Sequence, residues 1–280
     1  MKGDDSSNHN INFALLKNTN LLPDPGMENS HSTPFDNQWI ELDSVDSTNN
    51  YAMARIHAGM ASDGLVCLAH HQWAGKGQRG RSWVDEPGQS LTMSLVVNPL
   101  PLNIGQQFLL SAAVGLGVLD FLRSYSPNHW SLKWPNDIYW NDRKAAGILI
   151  DTVIQGNNWS FAVVGIGLNL NQDHFPTTLS RAVSLKQIIS GHYEPSQVAR
   201  DLVPLLQHRI KQLKEDPERI LSDYNRSLYK IQQPVALKNK EELIVATLLG
   251  VDASGLLLTS QGSFAWKETE FVMDHLPNKE

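Results

Sequence analysis

Hydrophobic spacing divides the chain into stretches of different character. Residues 1–37 are polar, rich in Asn and Ser, and punctuated by Pro23, Pro25, Gly26 and Pro34, which predicts a disordered leader. From Trp39 the pattern becomes regular. Residues 38–43 suit a short strand, and Asp46-Ser47-Thr48 supply N-cap chemistry for a helix to about Ala58, stopped by Gly59. Leu65 to Ala69 is a short apolar strand, and residues 72–89 form a glycine-rich loop. Leu91, Met93, Leu95 and Val97 alternate with smaller or polar residues, as in a half-buried strand. Residues 104–123 read as one long apolar helix, followed by strands at 137–140, 145–154 and 159–167. Two or three helices then fill 184–228, with Pro204 expected to kink one of them. From Val235 onward, short β-like runs are separated by Lys238-Asn239, Asp252-Ala253-Ser254-Gly255 and Gln261-Gly262. The expected organisation is a leader over 1–37, a main domain over 38–230 and a small all-β domain over 231–280.

Composition narrows the classes. With 280 residues, 41% hydrophobic and 19% charged, the chain can bury a sizeable core. The net charge of -6 and the absence of a Lys/Arg stripe argue against a nucleic-acid footprint. A single cysteine, Cys67, rules out an intrachain disulfide and a cysteine zinc site, and fits a reducing, cytoplasmic setting. No uninterrupted apolar run is long enough to predict a membrane span, because Ser111, Gly115, Gly117 and Asp120 break the richest one.

Candidate chemistry is concentrated in a few segments. Asp46-Ser47-Thr48-Asn49 could simply start a helix, but capping employs one side chain and here four consecutive residues offer hydrogen bonds. Gly75-Lys76-Gly77-Gln78-Arg79-Gly80-Arg81-Ser82-Trp83 contains a formal G-x-G-x-x-G after a strand. A dinucleotide site would need a helix opening at those glycines and an acidic residue near 100, and the chain provides neither. Read otherwise, the glycines permit close backbone approach, Lys76, Arg79 and Arg81 are cationic donors, and Trp83 is a flat wall, which suits a lid over a phosphate-handling site. Lys133-Trp134-Pro135-Asn136-Asp137 reads as a turn, and Lys144 then enters an apolar strand beside Ala145, Ala146 and Gly147. A lysine there needs an anionic partner, and the small residues leave room for a ligand. His70 and His71 are adjacent on a strand, so they face opposite ways and make a poor metal pair.

These segments, in this order, resemble the motif set of biotin protein ligases. Arg143-Lys144-x-x-Gly147-Ile148-Leu149 and Gly165-Ile166-Gly167-Leu168-Asn169 extend the likeness, which spans roughly residues 40–270. The resemblance implies an α+β fold: a mixed, largely antiparallel sheet with helices on one face, then a small SH3-like β barrel. It implies that Ser47, Thr48, Asn49 and Gln72 hold biotin's ureido ring, and that Gly75, Lys76, Gly77, Gln78, Lys144 and Gly147 complete the biotin site. It implies that Arg79, Arg81, Trp83, Asn136 and Asn169 serve ATP and the adenylate. Lys144 would contact the reacting carboxylate and phosphate. Asp137 is assigned as the general base, with Mg²⁺ near it. Lys76 stands where the family often has arginine, keeping the charge but losing the bidentate fork.

The implied reaction activates biotin with ATP and transfers it to a lysine of a biotin carboxyl carrier domain. No DNA partner is expected, because residues 1–37 do not read as a winged helix-turn-helix, and no membrane partner either. Exposed edge strands would allow a homodimer. The competing readings are a lipoate protein ligase of the same superfamily and a non-catalytic module that binds biotin or its carrier. Retention of Lys144, Asn136 and Asp137 counts against the second, since binding alone needs no phosphate chemistry.

Overall fold

A computed structural model describes residues 38–156 and 158–273. The leader expected over 1–37 lies outside them. The main sheet is built from β1 (Trp39–Leu42), β2 (Val66–Ala69), β3 (Ser90–Val97), β4 (Trp130–Lys133), β5 (Asp137–Trp140), β6 (Arg143–Gln155) and β7 (Asn158–Asn169). Its strand order is β1-β2-β3-β7-β6-β5-β4. Only the β1–β2 pair is parallel; every other neighbour is antiparallel. The sheet is thus mixed and largely antiparallel, as the motif set implied.

Strand alternation divides the sheet's two faces. Leu91, Met93, Leu95 and Val97 of β3, with Val164, Ile166 and Ile148 of its neighbours, face the large core. Over them lies α2 (Gln107–Tyr125), apolar nearly all round because it is covered on all sides. Together with the turn before it, Ile104–Tyr125 is long and apolar enough to cross a membrane, yet most of it is buried in this core. A Cβ on Gly117 would stand 3.0 Å from Leu206 and one on Gly115 3.2 Å from Leu132, so both glycines mark close packing. Outside α2 are α4 (Pro195–Glu215) and α5 (Pro217–Arg226), while the short α3 (Leu185–Ile189) is started by the Ser184–Gln187 capping box. Pro204 lies on the exposed side of α4, and the helix continues through it. Arg209 of α4 pairs with Asp120 of α2 at 2.6 Å and with Asp223 of α5 at 2.9 Å, clamping the helical layer.

The opposite face carries α1 (Thr48–His57), whose Ala52 and Ile56 pack on Leu65, Cys67, Val96 and Val163. The main helical layer therefore covers one face, as expected, while this short helix covers part of the other. What α1 leaves uncovered becomes the site. β4, absent from the hydrophobic reading, is an edge strand that alternates apolar and polar residues but is only four residues long, too short for its period to stand out. The last strands, β8 (Pro234–Asn239), β9 (Glu242–Val251), β10 (Leu257–Thr259), β11 (Gly262–Phe264) and β12 (Thr269–Phe271), form an antiparallel sheet in the order β11-β10-β9-β8-β12. This sheet shares the large core through Val235, Leu237, Leu248 and Leu257. It is also tied down where Trp134 Nε1 donates to the Gly255 carbonyl at 2.9 Å.

Candidate active site

The centre of the site's floor is formed by glycines. Register pairs Gly147 with Gly167 and Leu149 with Gly165, and β3 brings Thr92 beside Gly167 and Ser94 beside Gly165. These positions share the face that carries α1. Flat backbone there is required by what lies on it: a Cβ on Gly165 would stand 2.3 Å from Asn49 Oδ1, and one on Gly167 2.5 Å from the Trp83 ring. The sequence feature that read as space beside a strand is a patch of three glycines on β6 and β7, flanked by Thr92 and Ser94 of β3.

At one end of the floor the start of α1 supplies polar groups. Thr48 and Asn49 are almost fully buried. The Thr48 backbone N–H donates to Gln72 Oε1 at 2.7 Å. Ser94 Oγ lies 2.8 Å from Thr48 Oγ1 and 2.6 Å from Asn49 Oδ1, and Asn49 Nδ2 donates to Asp151 Oδ2 at 2.9 Å. Gln72 is anchored from behind, its N–H donating to Asp85 Oδ2 at 2.9 Å. Burial raises the Asp85 carboxyl above the usual carboxylate range, the Gln72 bond opposing it.

The glycine loop crosses over this end as a narrow hairpin. Trp83 N–H donates to the Gly75 carbonyl at 2.9 Å and Gly77 N–H to the Arg81 carbonyl at 2.7 Å. A Cβ on Gly75 would come within 2.7 Å of the Trp83 carbonyl. Gly75 thus permits the hairpin, while Lys76, Gly77 and Gln78 line the cavity beneath with Ser47, Thr48, Asn49 and Gln72. Lys76 Nζ reaches Asn50 Oδ1. Trp83 lies across the floor, and its buried indole N–H has no hydrogen-bond partner among the described residues.

Lys144 stands between this cavity and a second one. Its Nζ is 2.6 Å from Asp137 Oδ1 and 5.9 Å from the centre of the Trp83 ring. The pairing depends on a β-bulge. Asp137 lies opposite Gly147, and Ile138 opposite Ala146, but Tyr139 pairs with Lys144, leaving Ala145 as an extra residue. Lys144 and Gly147 are three apart and would face opposite ways on a regular strand. The bulge turns Lys144 onto Asp137's side, where a Cβ on Gly147 would be 3.2 Å from Nζ. Asn136 Nδ2 donates to the Ile148 carbonyl at 2.7 Å, fixing the turn before Asp137.

The second cavity is lined by Arg79, Arg81, Lys133, Asn136, Asp137, Tyr139 and Lys144, and by Thr269, Glu270 and Phe271 of β12. Arg79 donates to the Thr269 carbonyl at 2.6 Å, and Arg81 to Glu270 at 2.8 Å. Lys133 lies over the Tyr139 and Phe271 rings, at 5.2 and 5.0 Å from their centroids. Burial pushes its ammonium below the ordinary lysine range, against the pull of Asp137. Asn169 does not line either cavity. Its amide is spent on the Val183 carbonyl at 3.1 Å and the Lys144 carbonyl at 3.4 Å, which ties the end of β7 to the strand carrying Lys144.

Ser94, Asp151, Lys133 and Glu270 were not singled out as site residues. Ser94 had a signal, since with Thr92 it puts hydroxyls on one face of a strand otherwise made for burial. Asp151 and Glu270 had none, because only strand register and the docking of β12 bring them here. His70 pairs with Glu41 at 2.8 Å, away from the cavities, and no cluster of metal-ligating side chains exists among the described residues.

Residues 41–169 match the model of the biotin/lipoate A/B protein ligase family. A biotin–[acetyl-CoA-carboxylase] ligase of Mycobacterium tuberculosis is 34% identical over 193 residues, covering 66% of this chain and 70% of its own. This chain belongs to the biotin/lipoate A/B protein ligase family. Among its relatives, the bifunctional ligase/repressor BirA of Escherichia coli is 28% identical over 219 residues, 78% of this chain and 67% of its own. The same fold is seen in a biotin protein ligase from Aquifex aeolicus in complex with biotin and ATP. That structure has a TM-score of 0.71 and 28% identity, covering 85% of this chain and 99% of its own. Family membership accounts for the order of the motifs, and the geometry gives each a physical task.

Proposed function

We propose that this protein is an ATP-dependent biotin protein ligase that forms biotinyl-5'-AMP and transfers biotin to a lysine of a biotin carboxyl carrier domain. The observation that carries the reading is the position of Lys144. It stands at the junction of a small cavity ending in hydrogen-bonding groups and a larger cavity lined with cations. A ureido ring, with N–H donors and a carbonyl acceptor, suits the end formed by Ser47, Thr48, Asn49 and Gln72. The valerate then runs over the glycine floor and brings its carboxylate to Lys144.

Two anions must meet for the first step. Lys144 neutralises the biotin carboxylate and the α-phosphate together, and Arg79, Arg81 and Lys133 hold the phosphates. A carboxylate oxygen attacks the α-phosphorus, and the bond to pyrophosphate breaks. Mg²⁺, which takes one or two carboxylates plus phosphate oxygens, fits Asp137 with Asn136 nearby and would supply further neutralisation. The loop over residues 75–83 keeps water from the mixed anhydride. In the second step the carrier amine, deprotonated by Asp137, attacks the acyl carbon, and AMP leaves with Lys144 stabilising its charge. Asn169 acts through Lys144 by holding its strand.

On this reading residues 38–230 carry catalysis and 231–280 supply the module that grips the loop. The protein works in the cytoplasm on a carrier rather than on operator DNA, and its sheet edge offers a homodimer contact. Intact mass of a biotin carboxyl carrier domain after incubation with the protein, ATP, Mg²⁺ and biotin tests the activity, with lipoate in parallel. An ATP-dependent gain of one biotin is expected. A gain with lipoate alone would move the chain to the sister activity, and binding of biotin without transfer would make it a binding module.

A further inference from the structure

The C-terminal sheet turns an apolar row outward. In β9, Ala246 and Leu248 are buried, so the alternate positions Leu243, Val245 and Thr247 face away from the core. A sheet with one face in water ordinarily sets polar residues on that face. Here Leu243 is 52% and Val245 50% exposed. A bulge lengthens the row. Leu248 pairs with Thr259 and Gly250 with Leu258, so Leu249 is the extra residue, and it is 47% exposed.

Register joins this row to the second cavity. Leu243 lies opposite Lys238 of β8, and Lys238 lies opposite Glu270 of β12. Residues directly opposite across a sheet share a face. The three therefore form one line two strand spacings long, about 10 Å. Glu270 lines the second cavity and accepts from Arg81 at 2.8 Å. Val245, next along the row, lies opposite Ala236, whose small side chain leaves the valine standing clear. The apolar row thus reaches the rim of the cavity across a single charged side chain.

Exposed apolar patches rimmed by charge mark docking sites. In the second half of the proposed reaction, the acceptor lysine belongs to a folded carrier domain. That lysine reaches Lys144 through the second cavity only while the body of the domain rests on the surface around the mouth. A second copy of this chain seated on the same row would lie beside Glu270 and Arg81 and obstruct that approach. We infer that Leu243, Val245 and Leu249, on the outer face of the C-terminal sheet, form a docking surface for the carrier domain. The inference rests on the proposed transfer to a carrier. It adds apolar contacts outside the cavity and assigns them no part in adenylation.

The test compares wild type with L243D/V245D, using as acceptor either a biotin carboxyl carrier domain or hydroxylamine, a small amine that takes biotin from the adenylate without docking. The double variant should raise KM for the carrier domain about tenfold or more, the scale for losing central apolar contacts of an interface. Its kcat at saturating carrier, its adenylate formation and its rate of biotinyl hydroxamate formation should stay at wild-type values. L249D should raise the carrier KM in the same direction, and it carries the test alone should the double variant fail to fold. M60D, which charges an equally exposed apolar residue beyond α1, should leave the carrier KM unchanged. An unchanged carrier KM in both surface variants, an equal rise in M60D, or an equal loss toward hydroxylamine would overturn the inference. So would a wild-type dimer that L243D/V245D splits, which would give the face to a second copy. Failure of the wild type to biotinylate the carrier at all would instead overturn the proposed function.

Discussion

Lys144 has different jobs toward the two substrates, and its replacement should separate them. In K144A the ureido end is untouched and only the carboxylate contact is lost, so biotin affinity should fall less than adenylation does. Single-turnover adenylate formation should fall by about 10²-fold or more, the scale at which one charge-stabilising donor matters. Lost biotin binding with normal adenylation at saturation would refute this division of labour. Gly167 is constrained by contact rather than by conformation. A methyl group there would stand 2.5 Å from the Trp83 ring, so G167A should displace the indole from the floor. Weaker ATP binding and a change in nucleotide-dependent tryptophan fluorescence are expected; identical nucleotide titrations in G167A and wild type would show that the ring's seat is unimportant.

At the scale of elements, the bulge in β6 and the contact of β12 with the loop matter most. Deleting Ala145 would remove the extra residue and leave Lys144 two positions from Gly147 on a regular strand, opposite Tyr139 and still on Asp137's face. The deletion variant should keep adenylation well above that of K144A; a fall to the K144A level with a cooperative melt would mean that the bulge sets more than the face on which Lys144 lies. Glu270 is partly exposed, so its pairs with Arg79 and Arg81 should add little to stability, below about 1 kcal/mol. Their effect is expected in the loop's mobility: E270A should melt near wild type yet be cut faster by protease within residues 75–83. Equal cleavage rates would show that β12 does not restrain the loop.

The described residues are held together by two apolar cores, one on each face of the main sheet, and by a few polar clamps. Arg209 bridges Asp120 and Asp223 with little exposure on any of the side chains. R209A would leave two carboxylates facing each other, at a cost of about 3–5 kcal/mol. A fall in denaturation midpoint much smaller than that would mean that water reaches the pair. Cys67 lies in the second core, where burial pushes its thiol up to about 11 from an ordinary 9.0. The unfolded chain loses this proton first as pH rises, so the stability that Cys67 contributes is intact below pH 9 and is lost between about 9 and 11. Alkylation at pH 8.5 should accordingly be slow in the native protein and fast in denaturant, and comparable rates would place the thiol at the surface.

By itself the sequence determined the periodic elements and the location of the chemistry. Alternation in Leu91–Val97, the long apolar run of α2 and the polar cluster at Asp46–Asn49 are local properties, and each produced an element or a site segment where it stood. Lys144 could be picked out because a cation beside small residues in an apolar strand demands a partner. Its partner's geometry could not, since the bulge at Ala145 exists only through pairing with β5. Asp151 and Glu270 were silent for the same reason: one becomes part of the site through the register of β6 against the start of α1, the other through the docking of a strand nearly 200 residues from the loop it holds. Asn169 kept its place at the end of β7 but faces two carbonyls rather than a cavity, a direction that side-chain identity does not encode. Local patterns are set by short-range periodicity and side-chain chemistry; which side chains meet is set by register, bulges and packing, which arise only when distant segments share one core.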